Sequence, residues 1–167
     1  NATLASWYPG FDEERFSHDW KQETFDFVRA EGVPQKHGAA EVLCLLKEKG
    51  YRLGLCTNNT DSVVREYLTL LGWTKLFDVC VTAADVQKRK PQPDTYLEAA
   101  RRLAVDPSSC MGVEDSPSGL LSVHRAGMVT VCIPDMVDLR SVNPAIIDYQ
   151  LTDLLALPAL IEKLNIK

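Results

Sequence analysis

Three short stretches of the sequence gather groups that could hold an anion and a cation close together. Thr57, Asn58 and Asn59 close the apolar run LGLC ahead of a helical pattern. A hydroxyl, two amide side chains and free backbone N–H groups then meet at a helix start, a place that favours an anion. A plain turn with a helix cap would use the same residues. Lys90 stands in KRKPQPD, residues 88–94. Pro91 and Pro93 stiffen that chain and would present a compact ammonium to a phosphate or a carboxylate, the alternative being a solvated basic loop. Glu114 and Asp115 end the apolar run CMGV. Adjacent carboxylates repel unless a cation sits with them, and an all-oxygen pair suits a hard cation such as magnesium. A solvated strand end before a cap is the plainer reading.

The elements that must position these groups alternate short apolar runs with helical patterns, which predicts repeated βα units and a mostly parallel sheet. Strands are expected at residues 51–57, 77–83, 110–115 and 129–134, with a weaker one at 148–151; their apolar content suits a sheet covered on both faces. Val63, Val64, Tyr67, Leu68 and Leu71 share one helical face between a cap at Asp61 and a stop at Gly72. Tyr96, Leu97, Ala100 and Leu103 repeat the pattern behind Asp94. Leu120, Leu121, Val123 and Ala126 repeat it again, with Ser116 as N-cap, Pro117 at the first helical position and Gly127 at the end. Leu157 and Pro158 open a last short helix to about Leu164. In such a sheet, ligands bind beyond the carboxyl ends of the strands, where all three polar stretches fall.

Residues 1–34 differ. Phe16, Trp20, Phe27 and Val28 lie near one face of an acidic helix that Gly32 and Pro34 end, with no strand pattern beside it. This segment is expected to be part of a separate helical element, leaving 35–167 as the α/β core.

Composition narrows the function classes. The chain has 167 residues, 46% of them hydrophobic, enough for one principal core. A net charge of -5 without a dense Lys/Arg tract argues against nucleic acid as the main partner. No run approaches the roughly 18 apolar residues of a bilayer span, and no secretory pattern opens the chain. Cys44, Cys56, Cys80, Cys110 and Cys132 are odd in number, scattered and never in a CxxC pattern, which reads as reduced core residues. A soluble, cytoplasmic monomer is expected. His18, His37 and His124 lack the spacing of a metal site or a Ser/His pair, and His124 reads as structural. Cys56 should face away from Thr57 and reads as core, while Trp7, Trp20 and Trp73 read as packing residues. Neither GxGxxG nor GxxxxGK[ST] occurs.

Taken in order, the strand ending in Thr57-Asn58, the Lys90-Pro-x-Pro-Asp94 block, and Glu114-Asp115-Ser-x-x-Gly119 followed by AGM resemble the haloacid dehalogenase superfamily. The subgroup is that of β-phosphoglucomutase and its phosphatase relatives. The resemblance covers about Pro34 to Leu164. It implies a Rossmann-like α/β core, a parallel sheet flanked by helices, with a remnant of a helical cap in 1–34. It further implies that Thr57 and Asn58 hold a transferring phosphoryl group, that Lys90 neutralises it, and that Glu114 and Asp115 bind Mg2+. The substrate class would be small phosphorylated metabolites, attacked by an aspartate of a DxDGT or DxDGV block to give an aspartyl-phosphate.

The sequence departs from that pattern in two places. No Asp-x-Asp occurs in it, and Arg89 stands where the family usually has glycine. The nucleophile strand and most of the cap are therefore expected in a longer protein, and the chain as given is expected to be inactive. The alternative is a truncated, catalytically inactive binding or scaffold module.

Overall fold

The computed structural model describes residues 6–164. The chain divides into two compact units at Pro34 and Gln35.

The first unit is built on α1, Glu13–Glu31. Asp12 caps it by accepting from the Arg15 N–H at 2.9 Å, and Glu13 and Glu14 place negative charge at its positive end. Gly32 ends it at φ 86°, a left-handed conformation that favours glycine. The packing role expected of Trp7 does not hold and that of Trp20 holds only in part: they are 68% and 64% exposed, Trp20 stacking on Phe16 with ring centroids 6.1 Å apart. Among the described residues of this unit, one long helix offers no opposing layer to bury them.

The second unit carries α2 (Ala39–Glu48), β1 (Gly54–Cys56), α3 (Asp61–Leu71), β2 (Val79–Val81), α4 (Asp94–Leu103), β3 (Met111–Glu114), α5 (Pro117–Arg125), β4 (Val129–Cys132), β5 (Tyr149–Gln150) and α6 (Leu157–Leu164). All five expected strands form, each shorter than its apolar run. The helix α2 was not foreseen; it buries Val42 and Leu46 behind Gly38, whose φ is 78°. Two expected caps are also corrected. Asp61 and Asp94 are the first helical residues, not caps, and no side chain caps either helix. Asp61 turns instead to Arg65, its Oδ2 accepting from Nε at 2.6 Å. Ser116 does cap α5, Pro117 opens it, and Gly127 follows at φ 72°.

Every strand pairing is parallel: β1 with β2, and separately β3 with β4 and β4 with β5. Strand alternation divides the core into two faces. Val42 and Leu46 of α2 and Leu157, Leu160 and Ile161 of α6 cluster with Val131 and Ile133, against which Met111 and Val113 also pack. On the other face Tyr96 and Ala100 of α4 meet Val123 and Ala126 of α5, with Cys56 beside them. Gly112, the inward residue of β3 on that face, lets the strand approach α5: a Cβ there would overlap the Val123 side chain. Helices thus cover both faces, as parallel sheets require.

Among the described residues β1 and β3 each pair on one side only. Between them lies a cavity of about 510 Å³ lined by Leu53, Leu55, Tyr96, Met111, Val113 and Leu157, with Glu114 also on its wall.

Candidate active site at the strand ends

The loop after β1 is held by its own backbone. Thr57 N–H donates to Val81 O at 3.0 Å, carrying the β1–β2 pairing one residue past the strand. Thr57 Oγ1 accepts from Asn59 N–H at 3.1 Å, and Asn59 O accepts from Ala83 N–H at 3.0 Å. Asn58 Oδ1 accepts from the Lys90 N–H at 3.3 Å, tying this loop to the lysine loop.

That second loop is fastened to α5. Ser122, fully buried, donates from Oγ to Gln92 O at 2.6 Å, and Arg125 Nη1 donates to Pro91 O at 3.0 Å. Held so, Lys90 sends its ammonium back across the end of β1. The Nζ donates to Cys56 O at 2.9 Å, to Tyr96 Oη at 3.2 Å and to Glu114 Oε1, and lies 4.8 Å from the Tyr96 ring centroid. The Tyr96 hydroxyl donates to the same Glu114 oxygen. The Lys90 and Glu114 side chains are each only 9% exposed. Two unit charges taken so far from water are tolerated because every polar atom of the pair is engaged.

On the far side of the carboxylate, Ser116 Oγ donates to Glu114 Oε2 at 3.3 Å while accepting from Gly119 N–H at 3.1 Å. Gly119 is needed for space, since a Cβ there would overlap the Glu114 carboxylate. The repulsion expected between two adjacent acids is therefore relieved at Glu114 by an ammonium of the chain itself. Asp115 is half-buried and has no hydrogen-bond partner among the described residues.

The structure thus brings Asn58, Lys90 and Glu114 into direct contact, with Thr57 and Asp115 adjoining them in sequence. Burial pushes the Cys56 thiol up to about 12, outweighing the opposite pull of Lys90, so it stays protonated as its core reading requires. Cys44 departs from the core expectation: it lies on the exposed side of α2. His124 is exposed on α5. Burial and then the Glu114 charge raise the Tyr96 phenol far above its ordinary range. Tyr96, Ser122 and Arg125 were not recognised in the sequence as site residues. A serine between Leu121 and Val123 on an apolar helix was the one visible signal; the reach of Tyr96 Oη depends on the packing of α4 against β1 and α5.

No described group of three or more His, Cys, Asp or Glu side chains forms a metal cage. The donors present still fit magnesium, which keeps several waters and binds through one or two carboxylates plus phosphate oxygens; the unpartnered Asp115 carboxylate is such a donor.

A model of the haloacid dehalogenase-like hydrolase family matches residues 5–133. The chain belongs to that family. Among its relatives are validoxylamine A 7'-phosphate phosphatase of Streptomyces hygroscopicus subsp. limoneus, 37% identical over 70% of this chain and 54% of that protein, and hexitol phosphatase B of Escherichia coli K12, 30% identical over 68% and 54%. The fold is similar to that of CbbY from Rhodobacter sphaeroides solved in complex with phosphate, with a TM-score of 0.75 and 28% identity over 90% of this chain and 68% of that one. The chain spans about half the length of the curated relatives it matches. Family membership carries the α/β fold of haloacid dehalogenase-like hydrolases, and the relatives include phosphatases. No described helix is long and apolar enough to cross a membrane.

Proposed function

We propose that the whole protein transfers phosphoryl groups of small phosphorylated metabolites with Mg2+, as a phosphatase or phosphomutase, through an aspartyl-phosphate whose aspartate lies outside this chain. The observation that carries the reading is the buried Lys90 ammonium, which bridges the ends of β1 and β3 by donating to Cys56 O and Glu114 Oε1, while the Lys90 backbone N–H ties its loop to Asn58.

In this reading the Thr57 hydroxyl and the backbone N–H groups after it receive the phosphoryl oxygens. Lys90 turns one of its three N–H bonds from Tyr96 to the phosphate, and its charge offsets the negative charge shared between phosphate and attacking carboxylate. Of the acidic pair, Asp115 is the direct metal ligand and Glu114 stands behind it, anchoring Lys90. Magnesium, when bound, supplies further positive charge to the equatorial oxygens. The cavity between the edges of β1 and β3 that are unpaired among the described residues is mainly apolar and lined by residues of both strands, which supports one more strand there, whose carboxyl end would reach Lys90. We further propose residues 1–34 as part of a cap, and a cytoplasmic monomer, in keeping with five free cysteines.

A second reading, an inactive binding module, draws on the absence of any Asp-x-Asp from the 167 residues. Hydrolysis of a chromogenic phosphomonoester with magnesium, compared between this chain alone and the whole protein, decides. Activity of the whole protein alone is expected. Turnover by the short chain would overturn the assignment of an external nucleophile, and an inactive whole protein that binds phosphorylated sugars would favour the second reading.

A further inference from the structure

Lys90, Tyr96 and Glu114 form a closed triangle. Lys90 donates to Tyr96 Oη and to Glu114 Oε1, and Tyr96 donates to that same Oε1. We propose that Tyr96 is a positioning residue: its hydroxyl and ring hold the Lys90 ammonium at the end of β1 and keep the Glu114 carboxylate turned toward that ammonium, leaving Asp115 as the carboxylate open to a ligand.

The geometry separates two tasks. An ammonium has three N–H bonds, and here they go to Cys56 O, Glu114 Oε1 and Tyr96 Oη. The first two partners are a fixed backbone carbonyl and a carboxylate, which receives the stronger, charge-assisted bond. Tyr96 offers the longest contact, 3.2 Å, to a neutral oxygen. It is the acceptor that an incoming anion displaces at least cost, while the ring beneath continues to attract the cation. Tyr96 therefore keeps Lys90 satisfied in the absence of ligand and in place when the ligand arrives.

The second task concerns Glu114. Without the phenol donor, Oε1 would be served by Lys90 alone, and the carboxylate would be freer to swing toward the Asp115 side. Solvent has little access to the phenol, since Tyr96 is only 7% exposed in the core of α4, α5 and Cys56. Its backbone lies on α4, whose Thr95 and Ala99 are also buried, so its hydroxyl is aimed by packing rather than by a loop.

The catalytic part of this inference rests on the phosphoryl-transfer reading; the positioning part does not. The test is Tyr96→Phe in the whole protein, which removes the hydroxyl and keeps the ring. Lys90 is read directly by reductive methylation with mass spectrometry, and catalysis by steady-state kinetics. Lys90 is expected to react slowest among the core lysines in the unaltered protein, and its labelling should rise several-fold in the variant while the other lysines keep their rates. The turnover number should fall about tenfold, the scale of one charge-assisted hydrogen bond, with KM changing less. Unchanged Lys90 labelling would overturn the proposal, as would a rise shared by every lysine, which marks general loosening. If no phosphoryl transfer is found in the unaltered protein, the function falls while the labelling result still decides the triangle. Should the variant fail to fold, the hydroxyl proton of Tyr96, the one buried tyrosine among the described residues, is measured by NMR in the unaltered protein. Slow exchange with water supports the triangle, and rapid exchange overturns it.

Discussion

Two clusters of charge in the second unit are built from the same chemistry and placed in opposite surroundings. At the strand ends, Lys90 and Glu114 meet almost wholly out of water. Along α4, Glu98 holds Arg101 and Arg102, and Arg102 reaches over to Asp85 at 2.6 Å and to Cys80 O at 3.0 Å, all at a surface that water reaches. The surface cluster fastens the turn after β2: Asp85 Oδ2 also accepts from the Thr82 N–H at 2.7 Å and hydroxyl at 2.8 Å. Solvent screening keeps each of those ion pairs weak. The buried pair bears a desolvation cost that packing apolar side chains would have avoided. A fold that needed only stability would place its charges in the second way; the first way is what the role proposed for Lys90 would require.

The sharpest way to break that contrast is Lys90→Met. It keeps bulk and leaves Glu114 buried without its cation, so stability should drop by about 3–5 kcal/mol, the usual cost of orphaning one member of a buried pair. Activity of the whole protein should fall on the order of a hundredfold or more if the ammonium faces the phosphoryl group. Denaturant melts and steady-state kinetics read the two effects, and near-normal turnover would return Lys90 to a structural role. Next in size is Asp115→Asn, which should weaken magnesium binding by about tenfold or more with little change in stability, since Asp115 has no partner to lose. Calorimetric titration with Mg2+ checks it, and an unaltered affinity removes Asp115 from the metal site.

Gly119→Ala sharpens the comparison from the protein side. The new methyl would push against the Glu114 carboxylate, so a cost of about 1–3 kcal/mol is expected, together with faster chemical labelling of Lys90. The same change at a surface helix position would stabilise by about 0.5–1 kcal/mol.

The smallest effect belongs to the surface cluster. Hydrogen bonds from Arg102 and Thr82 hold the Asp85 carboxyl down to about 2, below its ordinary 3.8. A depressed folded-state value means that the unfolded chain binds the proton first. The contribution of Asp85 is therefore complete above pH 3.8 and lost as pH falls through about 2. Arg102→Ala should flatten that acid limb and cost about 0.5 kcal/mol or less after screening, measured by thermal melts across the window.

The site and its frame were unequally legible. Thr57, Asn58, Glu114 and Asp115 stand out because polar residues that end apolar runs are local features, Lys90 because Pro91 and Pro93 stiffen the chain beside it, and Ser116 and Pro117 because they open α5. The helix α2 escaped because its apolar residues form an unbroken run, Val42 to Leu46, in place of a one-face helical spacing, and no side-chain cap opens it. Asp61 and Asp94 were each placed one position too far out, since an acid in the first turn gains from the helix dipole almost as it would from capping. The exposure of Trp7, Trp20 and Cys44 was hidden because residue type states a preference for burial, while burial itself needs an opposing surface.

The sequence by itself determined the alternation of strands and helices, the order of the three polar strand ends, and the lack of an Asp-x-Asp nucleophile among its 167 residues. These follow from short-range spacing. Only the tertiary structure decided that Lys90 turns onto Glu114, that Tyr96 reaches them both from α4, and that Ser122 and Arg125 hold the lysine loop from α5. The contacts join residues 6 to 34 positions apart, and a contact across such a span is set by how helices pack on a sheet.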